Sequence, residues 1–237
     1  MSRDYRTGDV LSLECPFAAT VVTGVSRRYV TVRCPWLVAD TDAAQMQWSG
    51  ERALPMPSSR EWDLFVTDPA ADTLRIGDGC RLGIRRTTVH VQGVHRFDPP
   101  LVTGMLPRPA LLLALLRQGE AHDPALEEQG CTIDPDGAEP VRIGLVFRPY
   151  AFLEPGDEVA DGDGRAWRFE GAWDWHPFDG TRSTSPTWPL TLLTRRGEPA
   201  PEAPEGVALA TAHGSHAAER DRWTALTHVL PAGAGLR

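Results

Sequence analysis

His176 stands between two acids, Asp174 and Asp179, in a stretch that also holds Trp173, Trp175 and Phe178, with Trp188 a little further on. A histidine beside a carboxylate is the minimum equipment for general acid–base chemistry, because the acid can orient an imidazole whose pKa lies near neutrality. The aromatic residues suit a different task. Rings spaced along a strand with polar residues between them can form a stacking face for a sugar, a base, a proline-rich segment or another planar ligand. Trp167, Phe169 and Trp173 are expected to fill a core, leaving Trp175 and Trp188, each beside His or Pro, as the better candidates for exposure.

The catalytic option lacks a nucleophile. There is no Gly-x-Ser-x-Gly elbow, and Ser183 and Ser185 lie in a polar loop-like stretch. A second copy of the arrangement, His95-Arg96-Phe97-Asp98, argues for a repeated loop brace rather than for a reacting pair. The chain has no Lys, so Schiff-base, phosphate-loop and Ser-Lys chemistries are excluded.

Metal signals are weak. His213-Gly214-Ser215-His216 has ligand-capable spacing but no adjacent Cys or acid, and reads as a polar linker. Asp157, Asp161 and Asp163 fail the spacing of a calcium loop, and Asp161-Gly162-Asp163-Gly164 between two strand-like segments is the chemistry of a tight hairpin turn. Cys15, Cys34, Cys80 and Cys131 show no Cys-x-x-Cys spacing and read as buried thiols, with Cys15 and Cys34 on neighbouring strands. No dinucleotide or phosphate-loop fingerprint occurs, and no metal or cofactor is implied.

The elements that must position these residues are announced by an internal triplication. Gly8-Asp9, Gly24 and Gly50-Glu51 are followed by Gly77-Asp78, Gly93 and Gly119-Glu120, and then by Gly156-Asp157, Gly171 and Gly197-Glu198. Each central Gly precedes its Gly-Glu by 26 residues (24 to 50, 93 to 119, 171 to 197). Each sits in a β-branched or aromatic run, 19–25, 88–94 and 166–172, where a recurrent Gly signals a bulge. The Leu-rich segment 110–117 has strong helix propensity, but its counterpart 188–195 reads as a strand, so both are expected to be strands.

A fifth strand is expected to close each unit, at 62–67, 141–147 and 223–229, with a short helix only near 217–222. The pattern predicts an all-β chain of three repeats, each of about five short strands. The repeats are 1–76, 77–155 and 156–237, the last with a Pro/Ala-rich linker at 198–222. They form SH3-like small barrels in tandem or one pseudo-threefold β assembly.

Composition limits partners. A net charge of −8 opposes unspecific attraction to nucleic acid or anionic lipid. No apolar run approaches the roughly 20 residues of a membrane span, and the first residues lack a secretory apolar stretch. A cytoplasmic location follows as the expectation. The joint absence of Lys and Asn points to a GC-rich genome, that of a high-GC bacterium or its phage. The function expected is a non-enzymatic protein-interaction or assembly module, binding a protein partner through Trp173, Trp175, His176, Phe178, Asp179 and Trp188. A small molecule is the second choice of partner and nucleic acid an unfavoured one. The alternative is a small enzyme with a His/Asp site near His176 and Asp179.

Overall fold

The structure, a computed structural model, describes residues 4–59, 61–123, 125, 129–180, 184–199 and 204–228. It is 41% strand and 10% helix, with antiparallel sheets and a half-barrel, as an all-β chain requires. The chain forms two compact units, one of Leu11–Val146 and one joining Met1–Val10 to Phe147–Arg237. These bounds differ from the repeat bounds at 76/77 and 155/156.

The Leu11–Val146 unit is organised by two long strands. β1 (Val10–Val25) pairs with β2 (Tyr29–Arg33); β3 (Val38–Ala39) stands apart, and β4 (Glu51–Pro55) pairs with β2 from Tyr29↔Pro55 to Arg33↔Glu51. After β5 (Val66–Asp68) and a short 3₁₀ turn, β6 (Gly79–Arg96) runs beside β1. β7 (Met105–Leu106) pairs with β3 as a separate two-stranded ribbon. β8 (Leu111–Arg117) pairs with β6 over Val89↔Arg117 to Arg96↔Leu111, β9 (Cys131–Ile133) pairs with β8, and β10 (Arg142–Phe147) pairs with β1. Leu11, Leu13, Leu82, Ile84, Leu113 and Leu115 are fully buried and make the core. The Leu-rich segment is therefore a strand. With Val91 and Leu113 inside, pairing to β6 overrides its helix propensity.

In the other unit, β11 (Glu158–Ala160), β12 (Ala166–Gly171), β13 (Asp174–Pro177), β14 (Thr191–Arg195) and β15 (Glu198–Pro199) form one sheet in the order β13-β12-β11-β14-β15. Two helices follow, α1 (Pro204–Thr211) and α2 (His216–Thr227). α1 packs on β14. Pro204 occupies its first helical position, where the missing N–H is not needed. Ser215 caps α2, its hydroxyl accepting from the Ala218 amide at 3.0 Å.

Here a sequence expectation is corrected. Residues 223–227, expected as a closing strand, are the last turns of α2, and 229 lies outside the described residues. The likeness to segment 62–67 rested on a leading Trp. Segment 62–67 itself is mostly irregular, joining β5 only at Val66. Only 141–147 forms the expected fifth strand, as β10.

The Gly-Asp, Gly, Gly-Glu pattern has one geometry at every copy. Gly8, Gly77 and Gly156 have φ of 89°, 91° and 91°, the region open to glycine, and Gly50, Gly119 and Gly197 lie at 80°, 88° and 80°. The Asp amide closes each Gly-Asp turn, Asp9 to Arg6 O, Asp78 to Arg75 O and Asp157 to Glu154 O, at 3.1, 3.0 and 2.9 Å. Each Asp carboxylate in turn accepts from the amide three residues back, at 3.0, 2.8 and 2.9 Å. The pairing register slips at each central Gly, between Val22 and Gly24, Val91 and Gly93, and Phe169 and Gly171, which is the expected bulge.

The copies differ in where the strand after the turn finds its partner. Gly156 N donates to Phe169 O at 2.7 Å and Phe169 N to Asp157 O at 2.9 Å, both within the third copy. Gly77 N donates to Val22 O at 2.9 Å and Val22 N to Asp78 O at 3.0 Å, joining the second Gly-Asp turn to β1. The residue two before the bulge Gly is the partner in both cases. The third copy has the hairpin Asp161–Arg165 between β11 and β12, whereas the first two run straight through as β1 and β6. At Gly83 the two long strands meet closely: a Cβ there would lie 2.8 Å from the Phe17 ring and 2.9 Å from Cys15 O.

Candidate functional site

The hairpin that expectation assigned to Asp161-Gly162-Asp163-Gly164 is present and is more than a turn. Asp161 Oδ1 accepts from the amides of Asp163 and Arg165 at 3.0 and 2.8 Å, while Oδ2 accepts from Trp167 Nε1 at 2.9 Å and the Thr187 amide at 3.4 Å. Burial alone would raise this carboxyl, but these donors together hold it below the ordinary range. The acid thereby fixes Trp167, which is fully buried, at the base of an aromatic core.

That core takes in most of the aromatic stretch. Trp167, Phe169 and Trp175 are buried with Tyr150, Leu153, Val159, Leu190, Leu192 and Val207, and Phe152, Trp173 and Trp188 pack against them half-buried. Tyr150 is the hub. Its ring centroid lies 5.3 Å from Trp175, 5.4 Å from Trp173 and 5.5 Å from Phe169, all edge-on, the favoured geometry of aromatic pairs. Burial pushes its phenol pKa up, so the hydroxyl is a donor, and its partner is His216 Nδ1 at the start of α2. Burial, and then the nearby Arg220, lower the His216 pKa, which keeps the ring neutral and able to accept.

The structure therefore separates the six residues singled out by sequence. Trp175, expected at the surface, is 7% exposed. Strand alternation is the reason: Trp175 points into the core and its neighbour His176 out to solvent. A pocket in which Trp175 would wall His176 is not formed. Trp188 is half-buried over the loop between α1 and α2, where its ring lies so close to Gly214 that a Cβ there would come within 2.3 Å of it. Trp173 is held at φ 68°, uncommon for a bulky residue, by contacts with Tyr150, His216 and Trp223 and by the Arg220 guanidinium 5.3 Å from its ring.

Three of the six remain outside. His176 and Phe178 meet edge-on at 5.9 Å, Phe178 is 52% exposed, and Asp179 faces Arg165 at 3.8 Å. They lie on and just beyond β13, one of the two edge strands of the sheet among the described residues. Asp174 is exposed at the start of the same strand. Ser183 lies outside the described residues. The second His-Asp arrangement is dispersed differently: His95 pairs across β6 with Leu112, and Gly93 approaches its ring.

The sequence does not single out Tyr150, nor the role of His216 as its partner. The signal for Tyr150 was faint, an aromatic in Arg148-Pro149-Tyr150-Ala151-Phe152 outside any repeat element. His216 was noticed as half of a metal-like pair, but its partner His213 is exposed and its Nδ1 is taken by Tyr150. The two fully buried turn acids were also passed over. Asp9 is gripped by Arg148 through Nε and Nη2 at 2.8 and 2.7 Å, and Asp157 by Arg195 through Nη2 at 2.8 Å.

No protein-family model, curated protein or solved structure matches the chain. No described helix is long and apolar enough to cross a membrane.

Proposed function

We propose that the chain is a non-enzymatic protein-interaction or assembly module of a high-GC bacterium or its phage. It is built from three copies of one β unit, the first two exchanging strands and the third bearing the contact edge. The triplication is supported by the identical φ signature and hydrogen bonds of the three Gly-Asp turns and by the three bulges.

The observation that carries the binding role is the edge of the third copy. Phe178, half exposed beside His176, presents an aromatic ring at the end of a strand whose outer side has no partner strand among the described residues. An extended segment of a partner protein would add to β13 through main-chain hydrogen bonds, with Phe178 as its apolar anchor and Asp179 and Asp174 favouring a basic flank. Trp173, Trp175 and Trp188 serve this edge from behind, as the packed support of β12 and β13.

The test is site-specific photo-crosslinking in the native host. A crosslinking residue at 178 should capture one stoichiometric protein that the same group at Leu209, 80% exposed on α1, does not. Equal capture at both positions, or none at 178, would remove the edge as the contact surface.

A further inference from the structure

A second site lies in the Leu11–Val146 unit and does not rest on the edge of β13. A cavity of about 360 Å³ opens between the end of β4, β5, the stretch of β6 that carries Arg85 and the end of β8 that carries Arg117. That volume falls in the range of small-molecule sites. Its apolar wall is Pro55, Met56, Phe65 and the Trp62 ring.

The polar groups lining it are unbalanced. Trp62 Nε1 and Thr67 Oγ1 are buried with no hydrogen-bond partner among the described residues, and Thr67 as a whole is only 4% exposed. Buried polar groups are nearly always paired, and an orphan costs about 1–3 kcal/mol, so two orphans on residues that line one cavity mark a place where a partner is expected. The indole N–H can only donate.

Both acids at the cavity are already engaged. Glu61 accepts from Arg28 and Tyr29 at 2.8 and 2.5 Å, and Asp63 from Arg52 at 2.9 and 3.0 Å and from the Phe65 amide at 2.8 Å. The arginines are less committed. Arg117 lies 5.7 Å from the Trp62 ring and reaches Glu120 only at 3.6 Å, and Arg85 is exposed with no ion pair among the described residues. The cavity thus offers two cations, an indole donor and a hydroxyl around an apolar pocket.

We propose that this cavity binds a carboxylate on an apolar body, whether a free organic acid or the C-terminal carboxylate of a polypeptide. The carboxylate oxygens accept from Trp62 Nε1 and Thr67 Oγ1 under the charge of Arg85 and Arg117, and the apolar body lies on Pro55, Met56 and Phe65.

Calorimetric titration of the full chain tests this with four probes: 3-phenylpropionate, its amide, a tetrapeptide ending in Phe as free acid, and the same peptide C-terminally amidated. At least one acid should bind, and its amide should bind about tenfold or more weakly, the effect of losing one charge-assisted contact. Trp62→Phe and Thr67→Val should each weaken the acid about tenfold. Thr67→Val should melt no lower than the parent, which separates lost recognition from lost folding. Preference for phenylpropionate assigns a free acid as the ligand, and preference for the peptide acid assigns a chain terminus. The proposal is overturned if neither acid binds at millimolar concentration, if acid and amide bind alike, or if the two substitutions leave affinity unchanged.

Discussion

Gly8 and Ala172 are in such close contact that a Cβ on Gly8 would lie 2.6 Å from the Ala172 methyl, whereas Gly77 and Gly156, with the same φ and the same turn, have nothing within 4 Å of theirs. Three turns of one φ thus differ in the space beyond the backbone.

Alanine at Gly77 or Gly156 should destabilise the fold by roughly 1–2 kcal/mol, the backbone cost of a left-handed L-residue. Alanine at Gly8 should cost more, because the Ala172 methyl must also move. Urea unfolding of the three variants checks the order; equal losses at all three would mean that the close approach is relieved without cost.

The burial of His216, and then the nearby Arg220, make stability depend on pH. The folded His216 pKa lies below its unfolded value of about 6.5. As pH falls through 6.5 the unfolded chain takes up a proton before the folded chain does, so stability falls until the folded pKa is reached. Above about 6.5 both states are neutral and the contribution is flat. The melting temperature should drop on acidification below 6.5, and the drop should shrink in His216→Gln. An unchanged pH profile in that variant would show that the ring is not the titrating group.

Asp9 is fully buried and Arg148, 15% exposed, is its partner. Removing the cation leaves a buried carboxylate without its counter-charge. Arg148→Leu should cost about 3–5 kcal/mol, and Asp9→Asn in the same background should recover part of it. Denaturant unfolding of the double-mutant cycle measures both; additive losses would mean that the two groups are not coupled.

Burial raises the Cys15 thiol to about 11 and the Cys131 thiol to about 12, and also raises Cys80. At pH 8 the thiolate, the reactive form, is scarce at these positions. Thiol titration should be slow in the native chain and fast in denaturant. Rapid native labelling of Cys15 would contradict its burial.

What the sequence disclosed follows from what is local. A glycine with positive φ, a bulge and an Asp-Gly hairpin each depend on a few adjacent residues, so the three turns, the three register slips and the 161–165 hairpin were legible. That 111–117 is a strand was legible through comparison with 188–195, which outweighed a misleading propensity; its partner β6 was not. The destination of a strand was not. Where the third stretch has Asp161-Gly162-Asp163-Gly164, the same distance before the bulge Gly holds Glu14-Cys15-Pro16-Phe17 in the first and Gly83-Ile84-Arg85-Arg86 in the second, neither of them an Asp-Gly turn sequence. A chain that cannot turn runs on, and its far half pairs elsewhere; the missing turn was visible but its consequence needed three dimensions. At the site, His176 and Phe178 lie outside. The inward direction of Trp175 was missed because it depends on which face of β13 meets Tyr150, a residue outside the repeat pattern.

The bonds from Gly77 and Asp78 to Val22 bear on how such a chain could be assembled by recombination. A segment ending at residue 76 would leave Val22 without its partners, and one beginning at residue 77 would leave Gly77 and Asp78 without theirs. A cut at 76/77 would separate these groups from their partners, so the stretch 11–146, one compact unit, is expected to be gained or lost whole.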